Sequence, residues 1–203
     1  MSRVQQSAEQ PAHCGVIDMN TFFSDECAYV SARNLDDRRV GKMIIESGQL
    51  ATACIRLTLA EHGYEEWEID ALFHEYGILT ATKGTPWRLT HQNHPSSKWT
   101  RYTYRNYQWV IGHALGLINE FTKRFGKVHA CCFAIVGMLR LGDELLKPLM
   151  DDLGLTEPPQ CMPDEFKHED PVIAYRAYLQ SKPNIRWVRA EPPSWWRTTE
   201  VIA

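Results

Sequence analysis

Residues 36–61, DDRRVGKMIIESGQLATACIRLTLAE, decide the fold. Val40, Met43, Ile44, Leu50, Cys54 and Leu57 recur at helical spacing and Gly63 supplies a stop, so the stretch reads as one long helix. At 100° per residue, Val40, Ser47, Ala51 and Cys54 centre its apolar face. Arg39, Lys42, Glu46 and Gln49 share a second sector, beside that face and not opposite it. A solvated face lies opposite the core, whereas a polar stripe at the core margin is placed to line a cleft. A surface ion pair between Lys42 and Glu46, four residues apart, explains the same spacing.

Outward from this helix, residues 65–76 read as a second, shorter one. Gly77, Gly84, Pro86 and Pro95 make 77–95 an irregular connection. Ser96 or Ser97 offers an N-cap for a long helix to about Phe125, with Gly126 as its stop. Residues 129–141 are apolar and read equally as helix or buried strand, 142–152 as helix, and 154–168 as a Pro-rich loop. Asp170-Pro171 opens a last helix to about Gln180. The expected fold is mostly α, a compact single domain with long central helices over 19–203. Residues 1–18 read as a flexible extension. The tail after Lys182, rich in Pro and Trp, reads as an irregular segment that lays its aromatics into surface grooves.

Composition narrows the function. The chain has 203 residues, 44% hydrophobic and 23% charged, which is ordinary for a globular domain. No apolar run approaches the roughly 18–20 residues of a membrane span, so no membrane partner is expected. The first 18 residues lack the apolar core of a secretion signal, which points to the cytoplasm. The cysteines at 14, 27, 54, 131, 132 and 161 form no C-x-x-C pair, so reduced thiols are expected, with no metal and no cofactor. A formal charge of −3 excludes a general polyanion binder, and any basic surface must be local.

Such a region exists. Residues 88–127 carry Arg88, Lys98, Arg101, Arg105, Lys123, Arg124 and Lys127 against one acid, Glu120. Trp99 and other aromatics interleave with them, and cations with ring faces suit phosphates with bases. On the expected long helix Arg101 and Arg105 form an i,i+4 pair that suits phosphate. Asn106, His113 and Glu120 recur every seven residues, with Arg124 one turn on. That row reads either as a hydrogen-bonded structural network or as one wall of a pocket facing Arg39, Lys42 and Glu46. In the segment Thr90-His91-Gln92-Asn93-His94-Pro95, His91, Asn93 and His94 are candidates for contact with phosphate rather than metal.

Two resemblances attach to these residues. The run from Leu35 to Glu46, the Asn93-His94-Pro95 turn with Trp99, and the run Glu120-Phe121-Thr122-x-Arg124-Phe125-Gly126-Lys127-x-His129 resemble a family of small phage and bacterial proteins. So do Met162-Pro163-Asp164-Glu165 and Ala174-Tyr175-Arg176-Ala177-Tyr178. The first helix is also similar to the early helix of the phage pyrimidine-dimer DNA glycosylase, endonuclease V, where an Asp, a His and a Glu share one helix. Asp37, Arg39 and Glu46 fall at those positions. That likeness implies an α-helical enzyme that cuts a glycosidic bond and then the backbone by β-elimination, with Glu46 as the key carboxylate. The family's nucleophile is an α-amine just after the initiator Met. The equivalent position here is near Asn20 or Thr21, behind nineteen further residues, and Arg39 stands where the family has His. Lys42 is therefore the candidate amine.

The expected function is a DNA N-glycosylase and abasic-site lyase, with DNA as partner. Glu46, Lys42 and Arg39 are the catalytic candidates. His91, Asn93, His94, Trp99, Arg101, Arg105, Asn106, His113, Glu120, Arg124 and Lys127 are those for binding substrate. An enzyme acting on free or modified nucleotides and a non-catalytic DNA-binding protein remain alternatives.

Overall fold

The computed structural model describes residues 19–196. The extension at 1–18 and tail residues 197–203 lie outside the described residues. Among the described residues seven α-helices form a mostly α fold, and β structure is limited to a bridge between Leu79 and Pro86. They are α1 (Ala28–Arg33), α2 (Asp37–Glu61), α3 (Glu66–Glu75), α4 (Pro95–Thr100), α5 (Tyr104–Phe125), α6 (Cys132–Leu141) and α7 (Pro171–Ser181).

The core forms where α2 packs on α5. Val40, Met43, Ile44, Leu50, Ala51 and Cys54 of α2 are buried, as are Val110, Ala114 and Leu117 of α5. Asp37 reaches Arg124 while Ser47 reaches His113, so the two helices run antiparallel. On its other side α5 receives α1. Gly112 and Gly116, one turn apart, face Ala28 and Ala32, and a Cβ at Gly116 would stand 2.9 Å from that of Ala32. Small residues on both helices permit this approach.

Three local expectations are corrected. The long helix from Ser96 is two helices, broken at residues 101–103. The run Thr100-Arg101-Tyr102-Thr103-Tyr104 is β-branched and aromatic, hence a weak helix former. Thr103 starts α5 afresh, its Oγ1 accepting the Asn106 N–H at 3.1 Å. The N-cap of α4 is His94, not Ser96 or Ser97: its Nδ1 accepts from the Ser96 N–H at 3.2 Å, with Pro95 at the first position. Residues 142–152 hold only a π turn, Gly142–Leu146, before Pro148 removes the donor a continuing helix needs. The ambiguous stretch at 129–141 resolves as α6, and α1 is an element that sequence periodicity did not announce. The tail crosses α2's start, where the Trp187 indole donates to the Leu35 carbonyl at 3.1 Å.

Gly137 of α6 lies directly against the Tyr76 carbonyl oxygen, which leaves no room for a Cβ. Helix propensity alone would make Gly137→Ala stabilising by about 1 kcal/mol. The clash reverses the sign, and a loss of about 1–3 kcal/mol is expected in denaturant unfolding. A variant as stable as the wild type would show that α6 and the Tyr76 turn part freely.

Candidate functional site

The polar sector of α2 is built around Glu46, which is 8% exposed. Among the described residues, its two carboxylate oxygens face nitrogens of Lys42 and Asn20. Lys42 Nζ lies 3.0 Å from Oε1, and the Asn20 backbone N–H donates to Oε2 at 3.3 Å. Lys42 is half exposed, with 48% of its side chain accessible, so its amine reaches solvent. Arg39 pairs with Asp36 at 3.0 Å and lies over the Phe22 ring. Phe22 in turn stacks on Tyr178.

The segment that delivers Asn20 is bent. Phe22 has φ +45°, a left-handed conformation that costs a non-glycine residue roughly 1–2 kcal/mol. Local bonds hold it: Asn20 Oδ1 accepts the Phe22 N–H at 3.0 Å, and the Ser31 hydroxyl donates to the Phe22 carbonyl at 3.0 Å. Asn20 Nδ2 donates to the Cys161 carbonyl at 2.9 Å. Cys161 Sγ meets the Ser96 hydroxyl at 3.6 Å, and the Ser96 amide donates to His94. A chain of contacts thus runs from Glu46 to the Asn93-His94-Pro95 turn. Phe22, Cys161 and Tyr178 were not singled out from the sequence. The positive φ at Phe22 has no signature in residue type, and Cys161 and Tyr178 arrive from more than 110 positions away.

The turn itself is partly buried and strained. His91 has φ +51°, and its Nδ1 and the Thr90 hydroxyl lack partners among the described residues. Burial, then the charge of His91, pushes the His94 pKa down. Asn93 is exposed. Arg101 donates to the Gln92 carbonyl at 2.8 Å, which ties α4 to the turn. Arg105 bonds Gln108 and lies 3.4 Å from Asp152. The pairing of Arg101 with Arg105 on one helix face is corrected, because the break at 101–103 separates them. Trp99 is buried with its indole donating to the Thr156 carbonyl at 3.1 Å. Lys127 is exposed beyond α5.

The row on α5 does not look across a pocket at Arg39, Lys42 and Glu46. Asn106 donates to the Trp99 carbonyl and to the Thr156 hydroxyl, at 2.8 Å each, and accepts the Thr156 N–H at 3.0 Å. His113 meets Ser47, on the apolar face of α2, with 3.3 Å between Nδ1 and the hydroxyl, and stacks on Trp109. Burial pushes the His113 pKa down to about 3. Glu120 binds Arg124 at 2.9 Å. Arg124 also donates to the Leu35 carbonyl at 2.7 Å and the Arg33 carbonyl at 3.0 Å, and reaches Asp37 at 3.4 Å. With its side chain 1% exposed, Arg124 serves the interior.

Burial pushes the Cys54 thiol up to about 12, far from a reactive thiolate. Among the described residues no group of three or more His, Cys, Asp or Glu is placed to hold a metal ion. No helix among them is long and apolar enough to cross a membrane. No family model matches the chain, and no curated protein or solved structure matches it.

Two substitutions separate these buried polar groups. Arg124→Met leaves Glu120 buried without its counter-charge, and a loss of about 3–5 kcal/mol is expected in urea unfolding. Unchanged stability would deny the clamp. For His113, the folded pKa of about 3 lies below the ordinary 6.5, so between those values the unfolded state binds more protons. Its contribution to stability is full above 6.5 and is lost as pH falls, by about 1.4 kcal/mol per pH unit. His113→Gln removes that term. Unfolding titrations from about pH 7 to 4.5 should give a shallower acid loss in the variant, and equal slopes would place the acid sensitivity elsewhere.

Proposed function

We propose that the chain is a DNA N-glycosylase and abasic-site lyase with Glu46 as its working carboxylate. The observation that carries the reading is the pair of nitrogens on one shielded carboxylate, the Lys42 amine at 3.0 Å and the Asn20 main-chain N–H at 3.3 Å. The similarity of the first helix to that of the phage pyrimidine-dimer glycosylase adds the substrate class.

In this mechanism Lys42 first gives its ammonium proton to solvent water, and the neutral amine attacks the sugar C1′ of a damaged nucleotide. The C1′–N bond breaks, its electron pair leaves with the base, and the base takes a proton. Glu46 stabilises the oxocarbenium-like sugar as that bond lengthens, where negative charge on a preorganised carboxylate has most effect. Ring opening gives an imine between Lys42 and C1′, with the proton lost by nitrogen passing to the sugar ring oxygen. Removal of a C2′ proton then expels the 3′ phosphate, and Glu46 is the adjacent base. Arg39, held by Asp36 over the Phe22 ring, is the cation assigned to orient phosphate. Extrusion of the base is part of such chemistry, because the glycosidic carbon is shielded in a stacked duplex.

The Asn20 nitrogen is an amide in this chain and has no lone pair free for attack. In a chain whose first residue is Asn20 the same atom would be an α-amine beside Glu46. Borohydride trapping on duplexes carrying an abasic site or a thymine dimer distinguishes the two. An adduct lost in Lys42→Ala assigns the amine to the side chain, and an adduct that survives assigns it to a processed start. Glu46→Gln should lower the rate by about 10²–10⁴ while leaving DNA binding intact. Absence of an adduct on both duplexes refutes the lyase.

A nucleotide substrate is favoured by one observation: Arg101 and Arg105 direct hydrogen bonds to Gln92 and Gln108 rather than standing free for a strand. Release of base from mononucleotides, with no salt-sensitive DNA affinity, would select it.

A further inference from the structure

The end of α5, α1, α7 and the tail enclose a cleft of about 490 Å³, within the range of small-molecule sites. Five cations and three carboxylates line it. Two of the carboxylates already have partners, Glu120 in Arg124 at 2.9 Å and Asp25 in Arg176 at 3.6 Å. Arg33, Lys123 and Arg189 then stand against Glu191 alone. The side chains of Arg33 and Lys123 are exposed and have no hydrogen bond or ion pair among the described residues. Among the described residues the cleft therefore holds an excess of positive charge at a concave surface, where low-dielectric walls concentrate its field.

A second observation comes from the tail. Trp195 lines the cleft, with the Arg176 guanidinium 5.3 Å from its ring centroid. Its indole nitrogen is buried and has no acceptor among the described residues. A buried donor without an acceptor is costly, and a turn of the indole toward an anionic oxygen in the cleft would satisfy it. Cations beside an indole match a phosphate joined to a base. The cations take the charge, the N–H takes one oxygen, and the apolar wall takes the ring.

The geometry points to this cleft as a phosphate-binding site for a nucleotide unit, separate from Glu46, with Arg33, Lys123 and Trp195 as its contacts. The choice of a nucleotide over other phosphates rests on the proposed function. The anion site itself does not.

The test is equilibrium binding by the full chain of inorganic phosphate, dTMP and an eight-residue oligothymidylate, each across a range of salt. The wild type should bind dTMP or the oligomer saturably. Arg33→Ala/Lys123→Ala should weaken that binding tenfold or more at unchanged thermal stability. If the ligand is a strand, the double variant should also flatten the slope of log K against log salt by about 1.4, at roughly 0.7 for each phosphate no longer neutralised. Trp195→Phe keeps a ring and removes the N–H, and should cost about tenfold. If the double variant is unstable, Lys123→Gln alone reads the same weakening. Equal affinity for dTMP and the oligomer identifies a free nucleotide, and a salt-dependent preference for the oligomer identifies a strand. Affinity and slope unchanged in the variants overturn the site, as does absence of saturable binding by the wild type. Phosphate binding here without a borohydride adduct removes the lyase and keeps the cleft. An adduct with unaltered affinity in the double variant does the reverse.

Discussion

One guanidinium holds the architecture together. Arg124, at the end of α5, is almost wholly buried and directs its donors to four places: Glu120, Asp37 and the carbonyls of Leu35 and Arg33. The two carbonyls belong to the turn between α1 and α2, where a helix end leaves acceptors that need a donor. Asp37 opens α2, and its other oxygen accepts the Val188 and Arg189 amides of the tail at 3.0 and 3.1 Å. A single side chain therefore fixes the end of α1, the start of α2 and, through Asp37, the path of the tail. The cleft behind the tail depends on the same contacts.

The rest of the polar row on α5 works in the same manner. Seven residues advance a helix by nearly two full turns, so Asn106, His113 and Glu120 share one stripe. Asn106 holds the loop at Thr156, His113 meets α2 at Ser47, and Glu120 holds Arg124. Shifting α5 by one turn would unpair Asn106 from Thr156 and His113 from Ser47, and would carry Arg124, with Glu120 still on it, away from the Leu35 and Arg33 carbonyls. Buried polar groups are costly when unpaired, and that cost favours one register over its neighbours.

Much of this was legible and some was not. The end of α2 follows from Gly63, the stop of α5 from the left-handed Gly126, and the start of α7 from Asp170-Pro171. The sector shared by Arg39, Lys42 and Glu46 follows from angle arithmetic alone. The break at 101–103 escaped because the apolar rhythm continues across it, and only the capping hydroxyl of Thr103 marks the restart. Periodicity also cannot distinguish a polar stripe that lines a pocket from one that bolts two helices together, since both require polar groups at the core margin. That distinction depends on partners brought from elsewhere in the chain. The tail's path was unreadable for the same reason, its anchors lying about 150 positions upstream at Leu35 and Asp37.

The backbone at Asn20 follows from a local energy balance. A left-handed phenylalanine is unfavourable by itself. Phe22 is 3% exposed, and burying such a ring stabilises by about 1.5–3 kcal/mol, enough to offset the conformation. The bend it imposes turns the Asn20 N–H onto Glu46 while the side chain of Asn20 reaches Cys161. The carboxylate is consequently held from a rigid main-chain donor on one oxygen and a flexible ammonium on the other. Of these two partners, the ammonium is the one able to swing away. In the proposed reaction that asymmetry is useful: Lys42 leaves, gives its proton to water and attacks the sugar as the neutral amine, and Glu46 stays where the developing positive charge will be.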